Sequence, residues 1–247
     1  MTTFEILLQQ IGLFVIYILA GVILVRTKVL NRETLEPISK FVIKMALPVM
    51  IFINIIDGVN KEILTGSWSI LLIAAGFYAV MFLVSFGMMK FFHLSEDRAG
   101  ICQAMMLFGN IGFMAVPVIS SVFPGNGILY VSVFMVFDQL MLWTLGVKLT
   151  TPTGSGGFEL KKLINPATVA ILIGMLLMLT GVRIPALLDT GLQKIGATAS
   201  PLAMIYIGGI FAELPLKKYL KELSLYGIVL VRMLLAPLLM FFVLGFF

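Results

Sequence analysis

The residues of this sequence that could bind a ligand or carry a charge lie inside apolar runs, and the densest group occupies Gly109–Pro117. Two glycines, Gly109 and Gly112, and the proline Pro117 loosen a helix, and the proline also removes one backbone donor. A broken helix exposes backbone N–H and C=O groups, and Asn110 adds an amide, so the stretch suits a charged small molecule. Close helix packing through small residues, with Asn110 as an interhelical hydrogen bond, would give the same pattern.

Two ionisable residues of opposite sign lie deep within later apolar runs. Asp138 is ten residues into its run and Arg232 nine, so each lies about 14–15 Å from a membrane surface at the helical rise. An unpaired charge at that depth is costly and therefore faces the protein interior or water. The two side chains either form an ion pair, or Arg232 holds an anionic substrate while Asp138 accepts a proton.

The composition excludes a water-soluble enzyme. Of the 247 residues, 60% are hydrophobic and 12% are charged, about half the roughly 25% charged share of a soluble domain. One cysteine and one histidine exclude a disulfide scaffold and multi-histidine sites, so no metal and no cofactor are expected. The net charge of +5 comes from cations between apolar runs, which indicates membrane orientation rather than nucleic-acid binding. The chain contains no P-loop, hydrolase or metalloprotease motif, and an enzyme is not expected.

Eight apolar segments meet or approach the roughly 20 residues that a spanning helix needs. None alternates polar and apolar residues as the strands of a barrel do. The predicted fold is therefore an all-α polytopic membrane protein with spans 1 to 8 at Ile6–Val25, Ile38–Ile56, Ser67–Met89, Ala99–Phe123, Ile128–Val147, Leu163–Gly181, Gly191–Ala212 and Leu223–Phe247.

Lysines and arginines predict the orientation of these spans. Twelve lie in the connections on one side of the membrane and three on the other. The positive-inside rule places the richer side in the cytoplasm. The chain is thus predicted to be a multi-pass protein of the plasma membrane, with both termini outside the cytoplasm and the Gly/Ser-rich joint Thr150–Gly157 inside.

The chain also repeats itself at an offset of 153 residues. Phe14–Met50 aligns without gaps on Ala167–Ala203, with nine identities in 37 pairs. The first copy has an odd number of spans, so the second must cross the membrane in the opposite direction. Pro48 and Pro201 fall at matched positions, and a paired interruption predicts a transport site or hinge. Two packing kinks would look the same.

The repeat defines the predicted domain organisation. Residues 1–149 form the first repeat with five spans, 150–162 a cytoplasmic linker, and 163–247 a second repeat with three spans. A complete second repeat would give ten spans and about 306 residues, so we expect this chain to lack the last two helices. A true eight-helix protein whose halves have diverged is the alternative.

The Gly-Asn-x-Gly-Phe-x-x-x-Pro run that begins at Gly109 resembles the crossover helix of the auxin efflux carrier family. Further segments resemble that family in their order and spacing: Leu47–Phe52, Asn165–Pro166, Ser200–Ala203 and the pattern from Arg232 to Pro237. The resemblance implies a ten-helix inverted-repeat transporter similar to bile-acid sodium symporters, in which broken helices 4 and 9 cross and bind organic anions. It also implies that Asn110 contacts the substrate, that Pro117 lies near the break, and that carboxylates such as malate or malonate are carried.

Together these features predict a secondary transporter, an efflux carrier or permease, that moves small organic anions such as carboxylates across the lipid bilayer by alternating access. The coupling ion would be H⁺ or Na⁺, and a homodimer is compatible with the sequence. The predicted substrate-binding residues are Gly109, Asn110, Gly112, Pro117 and Arg232, with Pro48 and Pro201 as helix breaks or hinges and Asp138 as an ion-pair or proton site. The alternative is a truncated, non-transporting fragment or an assembly subunit of such a carrier.

The orientation can be tested at Ser155, which the charge asymmetry places in the cytoplasm. A cysteine at this position, in a background without Cys102, should resist an impermeant thiol reagent added to intact cells. It should react once the cells are permeabilised, which controls for accessibility. Rapid labelling in intact cells would contradict the predicted topology.

Overall fold

The computed structural model describes residues 2–58, 66, 68–109, 111, 115, 119, 122–123, 126–151, 164–182, 184–215 and 220–245. The regular structure in these ranges is helical. The α-helices are α1 (Thr3–Arg26), α2 (Arg32–Phe41), α3 (Leu47–Gly58), α4 (Trp68–Phe91), α5 (Glu96–Leu107), α6 (Asn126–Met141), α7 (Val147–Thr150), α8 (Pro166–Thr180), α9 (Ala186–Ala197), α10 (Ala199–Glu213), α11 (Leu223–Leu230) and α12 (Ala236–Gly245). Three π-helical segments, Val42–Ala46, Leu142–Gly146 and Val231–Leu235, join α2 to α3, α6 to α7 and α11 to α12.

Six of the described helical stretches are long and apolar enough to cross a membrane: Phe4–Arg26, Arg32–Asp57, Trp68–Phe91, Tyr130–Thr150, Ala186–Glu213 and Leu223–Phe242. The α8 helix is also apolar, but it has only 15 residues. The α5 helix covers the first part of predicted span 4. An all-α polytopic membrane protein is therefore confirmed.

The second span begins earlier than its hydropathy predicts, because Asn31 caps the polar turns that precede the apolar run. The side-chain oxygen of Asn31 accepts a hydrogen bond from the backbone N–H of Thr34 at 2.9 Å. In return, the Thr34 hydroxyl accepts one from the backbone N–H of Asn31 at 2.8 Å. Such a capping box satisfies two donors at the helix start, so the charged residues from Arg32 onwards are already helical.

The chain folds into two compact units. The first comprises Met1–Trp68, Asn110–Leu140 and Ile164–Leu214, and the second comprises Ser69–Gly109, Met141–Leu163 and Pro215–Phe247. The first unit therefore contains the first two spans of each predicted repeat.

Within the first unit, the first helix of each predicted copy packs on the second span of the other. The α1 helix lies along α10, and α8 lies along α3. A Cβ on Gly21 would overlap the carbonyl oxygen of Ile205. Gly174 and Phe52 are the counterparts of this pair at the repeat offset, and a Cβ on Gly174 would lie 3.5 Å from the Phe52 ring. Equivalent positions are thus neighbours in both packings, with closer backbone contact at Gly21 than at Gly174.

The matched prolines both follow an interruption of their helix. Pro48 comes directly after the π-helical segment Val42–Ala46 and the first residue of α3. Pro201 comes just after the turn at Thr198 that separates α9 from α10. A proline cannot donate to the carbonyl group four residues earlier, and its ring displaces that group, which widens or breaks the helix. A hinge function for either residue stays a prediction.

Gly208 of α10 should not accept a side chain, because a Cβ there would overlap the carbonyl oxygen of Ile18. Helices α1 and α10 would have to separate, so Gly208→Ala should destabilise the protein by about 1–3 kcal/mol. The matched control is Gly12→Ala on α1, where no atom lies within 4 Å of the added Cβ. Thermal unfolding in detergent micelles measures both, and equal melting temperatures would show that this contact does not hold the unit together.

Candidate functional site

The predicted fourth span is part of the second unit as far as Gly109. Its helix ends just before that residue. The α5 helix ends at Leu107, and Phe108 has an extended backbone with φ −99° and ψ 136°. The N–H of Phe108 still donates to the carbonyl oxygen of Ala104 at 3.0 Å. We call Phe108 and Gly109 the helix break.

The ring of Phe108 fixes the position of the helix break. It lies 5.7 Å, centroid to centroid, from the ring of Tyr78 in α4. A Cβ on Gly146 would come within 3.0 Å of the Phe108 ring carbon Cε2, so the glycine leaves room for the ring. Gly146 is the last residue of the π-helical segment before α7. The end of α5 is therefore held against both α4 and this segment.

A second close contact holds the start of α5. A Cβ on Gly100 would overlap the carbonyl oxygen of Leu149 in α7. Glycines at such crossings let helix backbones touch, which is the main route to tight packing within a membrane. Both ends of α5 are thus fixed relative to the end of the fifth span, and the helix break has a defined location.

Arg232 reaches the helix break from the eighth span. A Cβ on Gly109 would lie 2.8 Å from Nη2 of Arg232, so the guanidinium lies against the Gly109 backbone. Arg232 belongs to the π-helical segment Val231–Leu235, and such widened turns are frequent at functional sites. The structure therefore brings together two predicted site residues that are far apart in the sequence.

The guanidinium lies close to the end of α5, where the last carbonyl groups of the helix have no partner within the helix. This end carries about half a negative elementary charge, which favours a nearby cation. Arg232 is partly buried, and the helix end helps to stabilise its charge. Its planar fork of N–H donors matches a carboxylate with two parallel hydrogen bonds. The guanidinium of Arg232, beside the helix break, can therefore attract and orient a carboxylate.

Asp138 lies in α6 of the first unit and is only 1% exposed. The side-chain amide of the neighbouring Gln139 donates to Asp138 Oδ2 at 3.2 Å. Its burial is consistent with the depth expected from the sequence, while its pairing with Arg232 and its use as a proton site stay predictions.

Three further predicted site residues, Asn110, Gly112 and Pro117, lie outside the described residues. Among the described residues, no group of three or more His, Cys, Asp or Glu side chains is placed to hold a metal ion. The described part of the candidate site is thus the helix break together with Arg232.

Gln103 in α5 is a candidate that the sequence reasoning missed. The side chain is 5% exposed, and its amide nitrogen is buried with no hydrogen-bond partner among the described residues. A signal was available, because Gln103 is the one amide or charged side chain between Arg98 and Asn110.

A cavity of about 340 Å³ with four polar lining side chains was also not predicted. It lies within the first unit between α3 and α9, and its polar lining comes from Asn54, Asp57, Gln193 and Ser200. The amide nitrogen of Gln193 donates to Oδ2 of Asp57 at 3.2 Å and to Oδ2 of Asp189 at 3.2 Å. None of the predicted site residues lines this cavity.

Comparison with known proteins agrees with this architecture. The chain matches a protein family described as "Membrane transport protein" over residues 6–157 and 155–247. It is similar to the "Uncharacterized transporter YfdV" of Escherichia coli (strain K12), Escherichia coli O157:H7 and Shigella flexneri, with 24% identity over 206 residues in each case. The match covers 78% of this chain and 65% of each relative, so the chain spans about two thirds of their length.

Proposed function

We propose that this chain, which belongs to the auxin efflux carrier family, is a secondary carrier of small organic anions such as carboxylates. It would work by alternating access. The observation that carries the proposal is the position of Arg232 at the helix break. A partly buried guanidinium attracts a carboxylate and orients it through two parallel N–H···O hydrogen bonds. Asn110, the next residue along the chain after Gly109, is the proposed neutral donor to the same anion.

The proposed alternating access requires two related halves that exchange roles across the membrane. The reciprocal packing of α1 on α10 and of α8 on α3 supports this arrangement, because equivalent positions are neighbours in both packings. We assign residues 1–149 and 163–247 to the two inverted copies, joined by the linker 150–162. The prolines of the second and seventh spans are the proposed hinges, since both helices are interrupted beside them.

Coupling and location complete the proposal. The proposed coupling ion is H⁺ or Na⁺, with the buried Asp138 as an ion-pair or proton site. The charge asymmetry of the connections supports termini outside the cytoplasm, and the plasma membrane is the proposed location. Assembly as a homodimer belongs to the same proposal.

Removing the guanidinium should weaken carboxylate binding. A hydrogen bond to a charged group contributes about 1.5–3 kcal/mol, so Arg232→Gln should raise the Kd for malonate by roughly 10- to 150-fold. Arg232→Lys keeps the charge and loses the fork, and it should give an intermediate Kd. Gly109→Ala should also weaken binding, because the added Cβ displaces Nη2 of Arg232.

Isothermal titration of the purified protein in detergent measures these affinities, and malonate flux into proteoliposomes measures transport. The control is Gly87→Ala in α4, where no atom lies within 4 Å of the new Cβ. Wild-type affinity in a well-folded Arg232→Gln protein would overturn the proposed site. Binding without flux would favour the alternative of an assembly subunit.

The proposal also predicts a role for Asn110. If its amide donates to the bound carboxylate, Asn110→Ala should cost about 1–3 kcal/mol of binding free energy while the melting temperature stays unchanged. The same titrations measure this loss. An unchanged Kd together with a lowered melting temperature would instead identify Asn110 as an interhelical packing residue.

A further inference from the structure

Gln103 lies in α5, one helical turn before the helix break. Its exposed fraction is 5%, and its Nε2 atom is buried without an acceptor among the described residues. Nearly all buried polar groups in proteins are hydrogen-bonded, and an orphaned donor within a membrane protein is especially unfavourable. The amide of Gln103 therefore needs an acceptor that the described residues do not supply.

The surroundings of Gln103 would suit an apolar residue. On the same helix, Ile101 and Met105 are 49% and 48% exposed, whereas Met106 and Leu107 are each 1% exposed. Gln103 thus belongs to the protein-facing side of α5 and not to its outer side. A methionine or leucine would fill this position without leaving a donor unpaired, as the sequence does at Met106.

The same face of α5 leads from its first turn to the helix break. Gly100 and Leu107 are three residues before and four residues after Gln103, so all three lie on one side of the helix. Gly100 contacts the α7 backbone, and the chain beyond Leu107 reaches Gly109 and the guanidinium of Arg232. The axial distance from Gln103 to Leu107 is about 6 Å at the helical rise. Gln103 therefore lies on the protein-facing side of α5, close in the chain to the helix break.

We propose that Gln103 is a second anion-binding side chain, whose amide N–H group donates to the carboxylate as it enters or leaves the helix break. This inference rests on the proposed function. A neutral donor suits such a position, because it replaces hydration of the anion without the strong attraction of a second cation. A bound carboxylate would supply the acceptor that the described residues do not.

The test is Gln103→Leu in the purified full chain, with malonate as the probe. Removing an unpaired buried donor should leave the melting temperature of the ligand-free protein unchanged or raise it. The same change should raise the Kd for malonate by about tenfold, and Gln103→Glu should raise it further by repulsion. The matched control is Met106→Leu, a buried apolar exchange on the same helix that should leave the Kd unchanged.

Each outcome separates this inference from the proposed function. If wild type binds malonate, Arg232→Gln does not, and Gln103→Leu binds like wild type, then the role of Gln103 is wrong and the proposed site stands. A large fall in the melting temperature of ligand-free Gln103→Leu with an unchanged Kd would show a structural hydrogen bond and also overturn the inference. Failure of the wild type and of all variants to bind malonate would contradict the assignment of Gln103 and the choice of carboxylates together.

Discussion

Inside a bilayer, a backbone N–H or C=O group that loses its partner cannot turn to water, and each such group costs several kcal/mol. The fourth span meets this constraint at Phe108, where the chain leaves the α-helix. The Phe108 ring packs against the ring of Tyr78 and against the backbone of Gly146. The guanidinium of Arg232 lies beside the C-terminal end of α5. The elements of the second unit that surround the helix break therefore do two things, since they stabilise an interrupted helix and they place a cation at the interruption.

Glycine is the common means by which both units achieve close packing. Lipid tails are as apolar as leucine, so helices within a membrane gain little from hydrophobic burial and depend on close van der Waals contact. Gly21 and Gly208 bring α1 and α10 into backbone contact in the first unit, and Gly100 does the same for α5 and α7 in the second. At Gly109 the close contact is with a side chain, because the absence of a Cβ leaves room for the guanidinium of Arg232. Close packing at glycine positions thus helps to determine where this charged group lies.

Hydropathy and charge predicted the fold class well, because both depend on the composition of long segments. The all-α polytopic fold and the family were recognisable from the apolar runs and from the Gly-Asn-x-Gly pattern. The start of the second span was less accessible, since the Asn31 cap extends its helix into polar residues that hydropathy does not count. The seventh span also begins earlier than predicted, at Ala186. Gly109 and Arg232 are in contact although more than a hundred residues separate them in the sequence. Local sequence patterns carry no information on contacts between positions so far apart in the chain. Gln103 was overlooked because an isolated amide in an apolar run becomes informative only when its neighbours are known.

The central claim is that the guanidinium of Arg232 holds a carboxylate at the helix break. A direct measurement is the dipolar coupling between ¹³C-carboxylate malonate and ¹⁵N-labelled arginine side chains in the reconstituted protein, recorded by solid-state NMR, with Arg232→Lys as the assignment control. Paired N and O atoms in such a contact lie about 2.7–2.9 Å apart, so we predict a strong coupling in the wild type that disappears in the control. A bound malonate that shows no coupling to any arginine, or the same coupling in both proteins, would contradict the claim.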